Sequence, residues 1–360
     1  MSRTRVLVLT AEEGEGHRSV GAALAAELTG DADVVVLDVF QEGFSRIVAF
    51  FSRDLYRIQL RWFAWSYAVE YWLFTRVPPA RAFARFGLAL LGSKTILRLV
   101  REHEPDVVVS THVAVTSVIG DLRRRGRLTT PLVATVTDLG VHPLWAHPGV
   151  DLHLVAHESS VAAVERVAGV ASARVVRPIV APEFRRAPAK GVARARLGLP
   201  LDRPVVLVSG GGWGVGNVEG SVRTALSLRG AVVVAVCGRN DRLRSRLEAA
   251  FHRRARLRVL GFTEEMAELL AAADVLIDST VGVTCLEAIA CGRPIVVYGA
   301  SPGHSRDNAR MLETLGLGRS ARSAPELAAA LRDALAGGEP TAVPMGPSAA
   351  PLILSAVVRP

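Results

Sequence analysis

His17 closes the turn Gly14-Glu15-Gly16, where the apolar run Val6-Leu7-Val8-Leu9 hands over to a helical stretch. A histidine at a helix N-terminus feels a field that favours the neutral imidazole, which suits a base or a donor to substrate oxygens. The alternative is an ordinary loop histidine. Asp138 follows the run Leu132–Val136 and so stands at a strand's carboxyl end, where open α/β sheets take their ligands. The alternative there is a turn or capping aspartate. His142, Trp145 and His147 follow closely and suit an acceptor site or a headgroup contact. With Asp138 the histidines also admit a metal reading, although their spacing matches no helix-borne ligand pair. A second glycine turn, Ser209-Gly210-Gly211-Gly212, follows Val205–Val208 and lets backbone N–H groups come close to a diphosphate.

Positioning these groups needs sheets. Val-rich runs of strand length recur at Val6–Leu9, Val34–Leu37, Val107–Ser110, Leu132–Val136 and Leu152–Ala156. They recur again at Val205–Ser209, Val232–Val236, Arg258–Val259, Val275–Ile277 and Ile295–Tyr298. They are apolar on both faces, as in buried parallel strands. Helical stretches such as Ser19–Leu28 and Glu264–Ala272 lie between them. The alternation predicts an α/β chain of two doubly wound, Rossmann-like domains facing a cleft. The expected boundaries are 1–184 and 204–338, with a Pro-, Ala- and Arg-rich linker at 185–203 and a Pro/Gly/Ala-rich tail at 339–360.

At 360 residues the chain can fill two cores. Its formal charge of +9, carried almost wholly by arginine, favours an anionic partner. Cys237, Cys285 and Cys291 form no CxxC pair, so neither a zinc site nor a disulfide framework is indicated. That usage fits a reducing cytoplasm. No signal peptide and no membrane-spanning run is expected. No basic stripe interleaves with a recognition element, which argues against nucleic acid, and no Gly-Lys-Ser/Thr follows either glycine turn, which argues against a P-loop NTPase.

One segment is unusually aromatic. Phe44, Phe50, Phe51, Tyr56, Trp62, Phe63, Trp65, Tyr67, Tyr71, Trp72 and Phe74 crowd one stretch, with Arg46, Arg53, Arg57 and Arg61 among them. Two readings stand: an interfacial membrane surface with guanidiniums meeting lipid phosphates, or core helices with arginines snorkelling at their edges.

Five stretches together resemble the inverting lipid glycosyltransferases built like monogalactosyldiacylglycerol synthases (family 28). That family is related to the enzyme adding N-acetylglucosamine to the peptidoglycan lipid precursor. The stretches are Gly14–Arg18, Val136–Asp151 with its Thr-Asp…His-Pro-x-Trp core, the second glycine turn, Gly261–Met266, and Thr284–Ala288 through Pro302-Gly303 to Asn308. The resemblance implies a GT-B fold with acceptor in the first domain and a UDP-sugar in the second. It implies metal-independent hexose transfer to a lipid hydroxyl with inversion, by a peripheral protein on the cytoplasmic, anionic membrane face. His17 and Asp138 become the catalytic pair; Gly14, Gly16, His142 and Trp145 become acceptor contacts. Ser209, Gly210, Gly211, Gly212, Phe262, Met266, Thr284, Glu287 and Asn308 become donor contacts, with Glu287 holding the ribose diol. No cofactor beyond the UDP-sugar co-substrate is implied.

The chain departs from the family at Ser279–Thr284, where a basic residue and two glycines are missing, and at His304-Ser305, where a sugar-contacting Gln-Glu pair is usual. Glu13 and Glu15 add anionic charge in the first turn. Three other readings stay open: transfer to a soluble metabolite, a UDP-sugar epimerase, and a non-catalytic relative.

Overall fold

The computed structural model describes residues 3–11, 15–337 and 346–358. The chain divides into two compact units, one of Met1–Ala181 with Met345–Pro360 and one of Pro182–Pro344. Residues 185–203, expected as a linker, instead carry the helix Lys190–Leu197 and belong to the second unit. The reason is Arg194. It is buried, donates to the backbone oxygens of Ala272, Pro200, Leu201 and Arg203, and pairs with Asp274 at 2.6 Å. A guanidinium satisfied on every side fastens the stretch to the body.

The first unit holds β1 (Thr4–Thr10), β2 (Ala32–Asp38), β3 (Val107–Ser110), β4 (Leu132–Thr135), β5 (Leu152–Val155) and β6 (Ala173–Val175). Their order is β2-β1-β3-β4-β5-β6 and every pair is parallel. The second unit holds β7 (Val205–Ser209), β8 (Val232–Val236), β9 (Leu257–Leu260), β10 (Val275–Asp278), β11 (Ile295–Tyr298) and β12 (Gly318–Ala321). Their order is β12-β11-β10-β7-β8-β9, again parallel throughout. Each sheet therefore reverses its winding once, between β1 and β3 and between β7 and β10. At such a switch point the connecting helices diverge to opposite faces and leave a crevice at the strands' carboxyl ends.

The central strands are buried along their length, as their unbroken apolar runs require. β6 and β12 escaped the apolar-run reading because they are short, polar edge strands carrying Arg174 and Arg319. The segment after Pro347 returns to the first unit. Pro347 O accepts from Arg177 N, Ser348 Oγ donates to Glu27 at 2.8 Å, and Ile353 is fully buried.

The aromatic segment lies on the surface. It forms the helices Tyr56–Trp62 and Ala64–Arg76, broken at Phe63, and runs on into Pro78–His103. The Ala64–Arg76 helix has no buried residue at all. Trp62, Trp65 and Trp72 are 67%, 70% and 58% exposed, and Phe50, Phe51 and Phe63 are exposed too. Phe44 is the exception, buried against Gly92, whose missing side chain makes room for its ring. Burial as core helices is thus ruled out. Among the described residues no helix is long and apolar enough to cross a membrane.

Candidate active site

The first site forms where β1 and β3 diverge. His17 sits in the first turn of the helix Glu15–Leu28, which follows β1. The end of β3 and the loop after it supply Ser110, Thr111 and His112, all buried. His17 Nδ1 lies 2.8 Å from Thr111 O, joining the two sides of the switch point. A carbonyl accepts only, so Nδ1 carries the hydrogen and the neutral ring's lone pair is on Nε2. The His112 ring meets the His17 ring edge-on at 4.8 Å, while His112 Nδ1 caps the helix Val113–Arg124 by accepting from Ala114 N. Neither Thr111 nor His112 was among the expected site residues. The available signal was a histidine directly after a strand next in order to β1.

Asp138 comes from the loop after β4. Trp145 is 1% exposed, and its Nε1–H donates to Asp138 Oδ2 at 2.7 Å. His142 Nε2 lies 3.9 Å from the same oxygen. Trp145, expected as an acceptor contact, is thus enclosed with its indole N–H spent on the carboxylate, and it packs 6.2 Å from the His17 ring. The loop is pinned beneath by Arg85, whose Nη2 donates to Pro143 O and Ala146 O at 2.8 Å each. His142 packs against Tyr71 of the aromatic Ala64–Arg76 helix at 5.5 Å, edge to face. His147 is buried away from this cluster, and burial with the nearby Arg85 charge lowers its pKa to about 4. Gly16 lies in the first turn beside His17, and Gly14 lies outside the described residues.

Trp145→Phe keeps most of the ring volume and removes the indole hydrogen bond. We expect kcat to fall about tenfold with KM little changed, because a charge-assisted bond of this kind is worth roughly 1.5–3 kcal/mol. Steady-state kinetics check this, and an unchanged kcat would remove Trp145 from any positioning role.

The second site forms where β7 and β10 diverge. Ser209 Oγ accepts from Gly211 N at 3.1 Å, and the N–H groups of Gly214 and Val215 bond back to Gly211 O and Gly210 O. Part of the expected phosphate cradle is thus spent inside its own turn. Arg239 N donates to Gly212 O at 2.8 Å and its guanidinium lies 4.2 Å over the exposed Phe262 ring, so the loops after β7, β8 and β9 meet. Met266 opens the next helix, half-buried.

After β10, Asp278 is fully buried and gathers Thr280 N, Thr280 Oγ1 and Val281 N onto Oδ1. Val281 is held in the left-handed region at φ 52°, a costly conformation for a β-branched residue. The substituted turn keeps a glycine-like backbone without the glycine. Asn308 Nδ2 donates to Val281 O at 3.0 Å and is wholly buried. It was expected as a donor contact; here its side chain is enclosed and braces this turn.

Thr284 is in the first turn of Val283–Ala290 and Glu287 is in the second. Glu287 is 7% exposed. Burial, then the charges of Asp278 and Glu183, raise its pKa to about 8. Among the described residues no three His, Cys, Asp or Glu groups converge as metal ligands.

Residues 17–176 match the monogalactosyldiacylglycerol (MGDG) synthase family and residues 205–336 match the glycosyl transferases group 1. The processive diacylglycerol beta-glucosyltransferase of Bacillus subtilis (strain 168) is 29% identical over 317 residues, spanning 87% of this chain and 82% of that protein. Its Bacillus licheniformis namesake is 28% identical over 330 residues, spanning 86% and 81%. Among solved structures, Acinetobacter baumannii MurG superposes with TM-score 0.57 at 15% identity, covering 98% of this chain and 99% of that one. Anabaena HepE in complex with UDP superposes with TM-score 0.54 at 15% identity, covering 94% and 92%.

Two all-parallel doubly wound units of this kind, each with its crevice at the switch point, make up the GT-B fold. The chain is a hexosyltransferase. Residues 17–176 are thus similar to the MGDG synthase family and residues 205–336 to the glycosyl transferases group 1, in line with the sequence resemblance.

Proposed function

We propose that this enzyme transfers a hexose from a UDP-sugar to the hydroxyl of a diacylglycerol-like lipid at the cytoplasmic membrane face, with inversion and without a metal. The observation that carries the lipid reading is the contact between Tyr71 and His142. It joins the His17–Asp138–Trp145 cluster to a helix whose tryptophans, Trp65 and Trp72, are exposed, so an acceptor held in an interface borders the reacting groups. The diacylglycerol named for the Bacillus relatives supports that acceptor, and the UDP bound to HepE supports the donor.

In the reaction, the acceptor oxygen attacks the anomeric carbon from the face opposite the diphosphate. His17 Nε2 or the Asp138 carboxylate takes the hydroxyl proton, the C–O bond to phosphate breaks, and UDP leaves with the electron pair. Asp138, fixed by Trp145, is either that base or the group that orients the acceptor. Ser209–Gly212 and the turn Ser279–Thr284 face the donor, and Phe262 and Met266 border the base.

Calorimetric titration with UDP, GDP and dTDP in chelator comes first. Transfer from UDP-glucose and UDP-galactose to diacylglycerol in vesicles of mixed anionic lipid follows, with product anomer read by NMR. Selective UDP binding and a β-linked glycolipid are expected. Failure of every nucleotide to bind would overturn the donor assignment, and an α-linked product would overturn inversion.

A further inference from the structure

A cavity of about 370 Å³ opens in the first unit beside the loop that carries Trp145. The start of the Pro78–His103 helix lines it with Arg81, Arg85 and Phe86, and the end of the Val113–Arg124 helix with Asp121, Arg124 and Arg125. Its charge is unbalanced. The one carboxylate, Asp121, is paired with Arg125 at 2.8 Å. Arg81 donates to Thr75 O, and Arg124 has no carboxylate within ion-pair distance among the described residues. Arg85 is committed through Nη2, but its Nε is buried with no hydrogen-bond partner. A buried unmet donor costs roughly 1–3 kcal/mol, more for a charged group. Burial, then the like charges of Arg81 and Arg124, hold the Arg85 guanidinium below its usual range.

Converging guanidiniums that outnumber the one local carboxylate, itself paired with Arg125, favour an anion. The donors come from two helices and several directions. That suits a tetrahedral oxyanion better than a flat carboxylate. His147 also lines the cavity; its Nδ1 accepts from Gly149 N, so the neutral ring carries its hydrogen on Nε2 and adds a donor rather than an acceptor. Phe83, Phe86 and Leu90, on the same helix as Arg81 and Arg85, are 76%, 57% and 71% exposed, so apolar surface adjoins the charged cavity.

We propose that the Arg81–Arg85–Arg124 cavity binds a phosphate group, distinct from both candidate substrate sites. The same chemistry is offered by a phospholipid headgroup and by free or soluble phosphate esters. The assignment stands independently of the transfer reaction proposed above.

The test is calorimetric titration of the full chain with inorganic phosphate, then binding to phosphatidylcholine vesicles containing either phosphatidic acid or phosphatidylserine. Wild type is expected to bind phosphate saturably. R81Q/R124Q should weaken this about tenfold or more, while R57Q/R76Q, which removes equal charge outside the cavity, leaves it intact. If the source is a lipid headgroup, R81Q/R124Q also loses preference for phosphatidic acid over phosphatidylserine. If the source is soluble, that preference is unaltered while phosphate binding is lost. Absence of saturable phosphate binding, or equal loss in both double variants, overturns the proposal. Circular dichroism checks the fold, and the exposed Arg124→Gln alone serves if the pair does not fold. Loss of transfer activity in either variant bears on the reaction and leaves this test unaffected.

Discussion

Replacing His17 with alanine is expected to lower hexosyl transfer by about 10²–10⁴-fold, the usual worth of a positioned acid or base. UDP affinity should stay essentially unchanged, because His17 belongs to the first unit and the donor groups to the second. The geometry makes the expectation specific. Thr111 O fixes the hydrogen on Nδ1, so the ring offers its basic nitrogen as Nε2, with Trp145 and Asp138 alongside. Single-turnover transfer measured beside UDP titration separates chemistry from binding. Asp138→Asn, nearly isosteric and still able to accept from Trp145, should give a loss of similar size if the carboxylate is the base. It should give a much smaller loss if the carboxylate only orients. Full activity in His17→Ala would take the histidine out of the mechanism.

The second large effect concerns stability. Glu287 is buried with a pKa raised to about 8, against an ordinary value near 4.5. The folded state holds its proton more tightly than the unfolded chain does. Its contribution is therefore fully present below about pH 4.5 and is lost progressively as pH rises toward 8. A shift of this size corresponds to several kcal/mol, on the order of 5, across that window. Glu287→Gln keeps the shape and removes the titration. We expect its stability to change little between pH 5 and pH 9 where wild type falls, so the variant is the more stable at pH 9. Denaturant unfolding at pH 5, 7 and 9 reads this directly, and parallel curves for the two proteins would refute it. At neutral pH the carboxyl is then mostly a neutral acid, able to donate as well as accept. On the ribose assignment Glu287→Ala should weaken UDP binding, whereas the glutamine variant should bind almost as wild type does.

Much of this was legible in the residues. The Val-rich runs gave the central strands to within a residue or three because a strand buried on both faces leaves an unbroken apolar signature. The edge strands β6 and β12 left no such signature. His17 and Asp138 were placed by a general rule about the carboxyl ends of parallel strands, and the structure puts both in one aromatic cluster. What the sequence could not show was direction. Trp145 and Asn308 sit in functional-looking stretches, yet both point inward: one holds Asp138 and the other holds Val281. A motif records which residue occurs, and burial decides whether it touches substrate or the group that does. Thr111, His112 and Tyr71 were missed for the complementary reason. Each acts through a neighbour distant in sequence, and only the strand order brings them together.

The return of residues 346–358 to the first unit also orders events during synthesis. The whole second unit leaves the ribosome before the first one can be finished. Until then the Glu15–Leu28 helix lacks the cover that the Ala349–Ser355 helix provides. Glu27, almost wholly enclosed in the final structure, must wait with Arg177 as its partner until Ser348 arrives. Until residues 346–358 emerge the first unit therefore lacks part of its cover, and this segment acts as its latch.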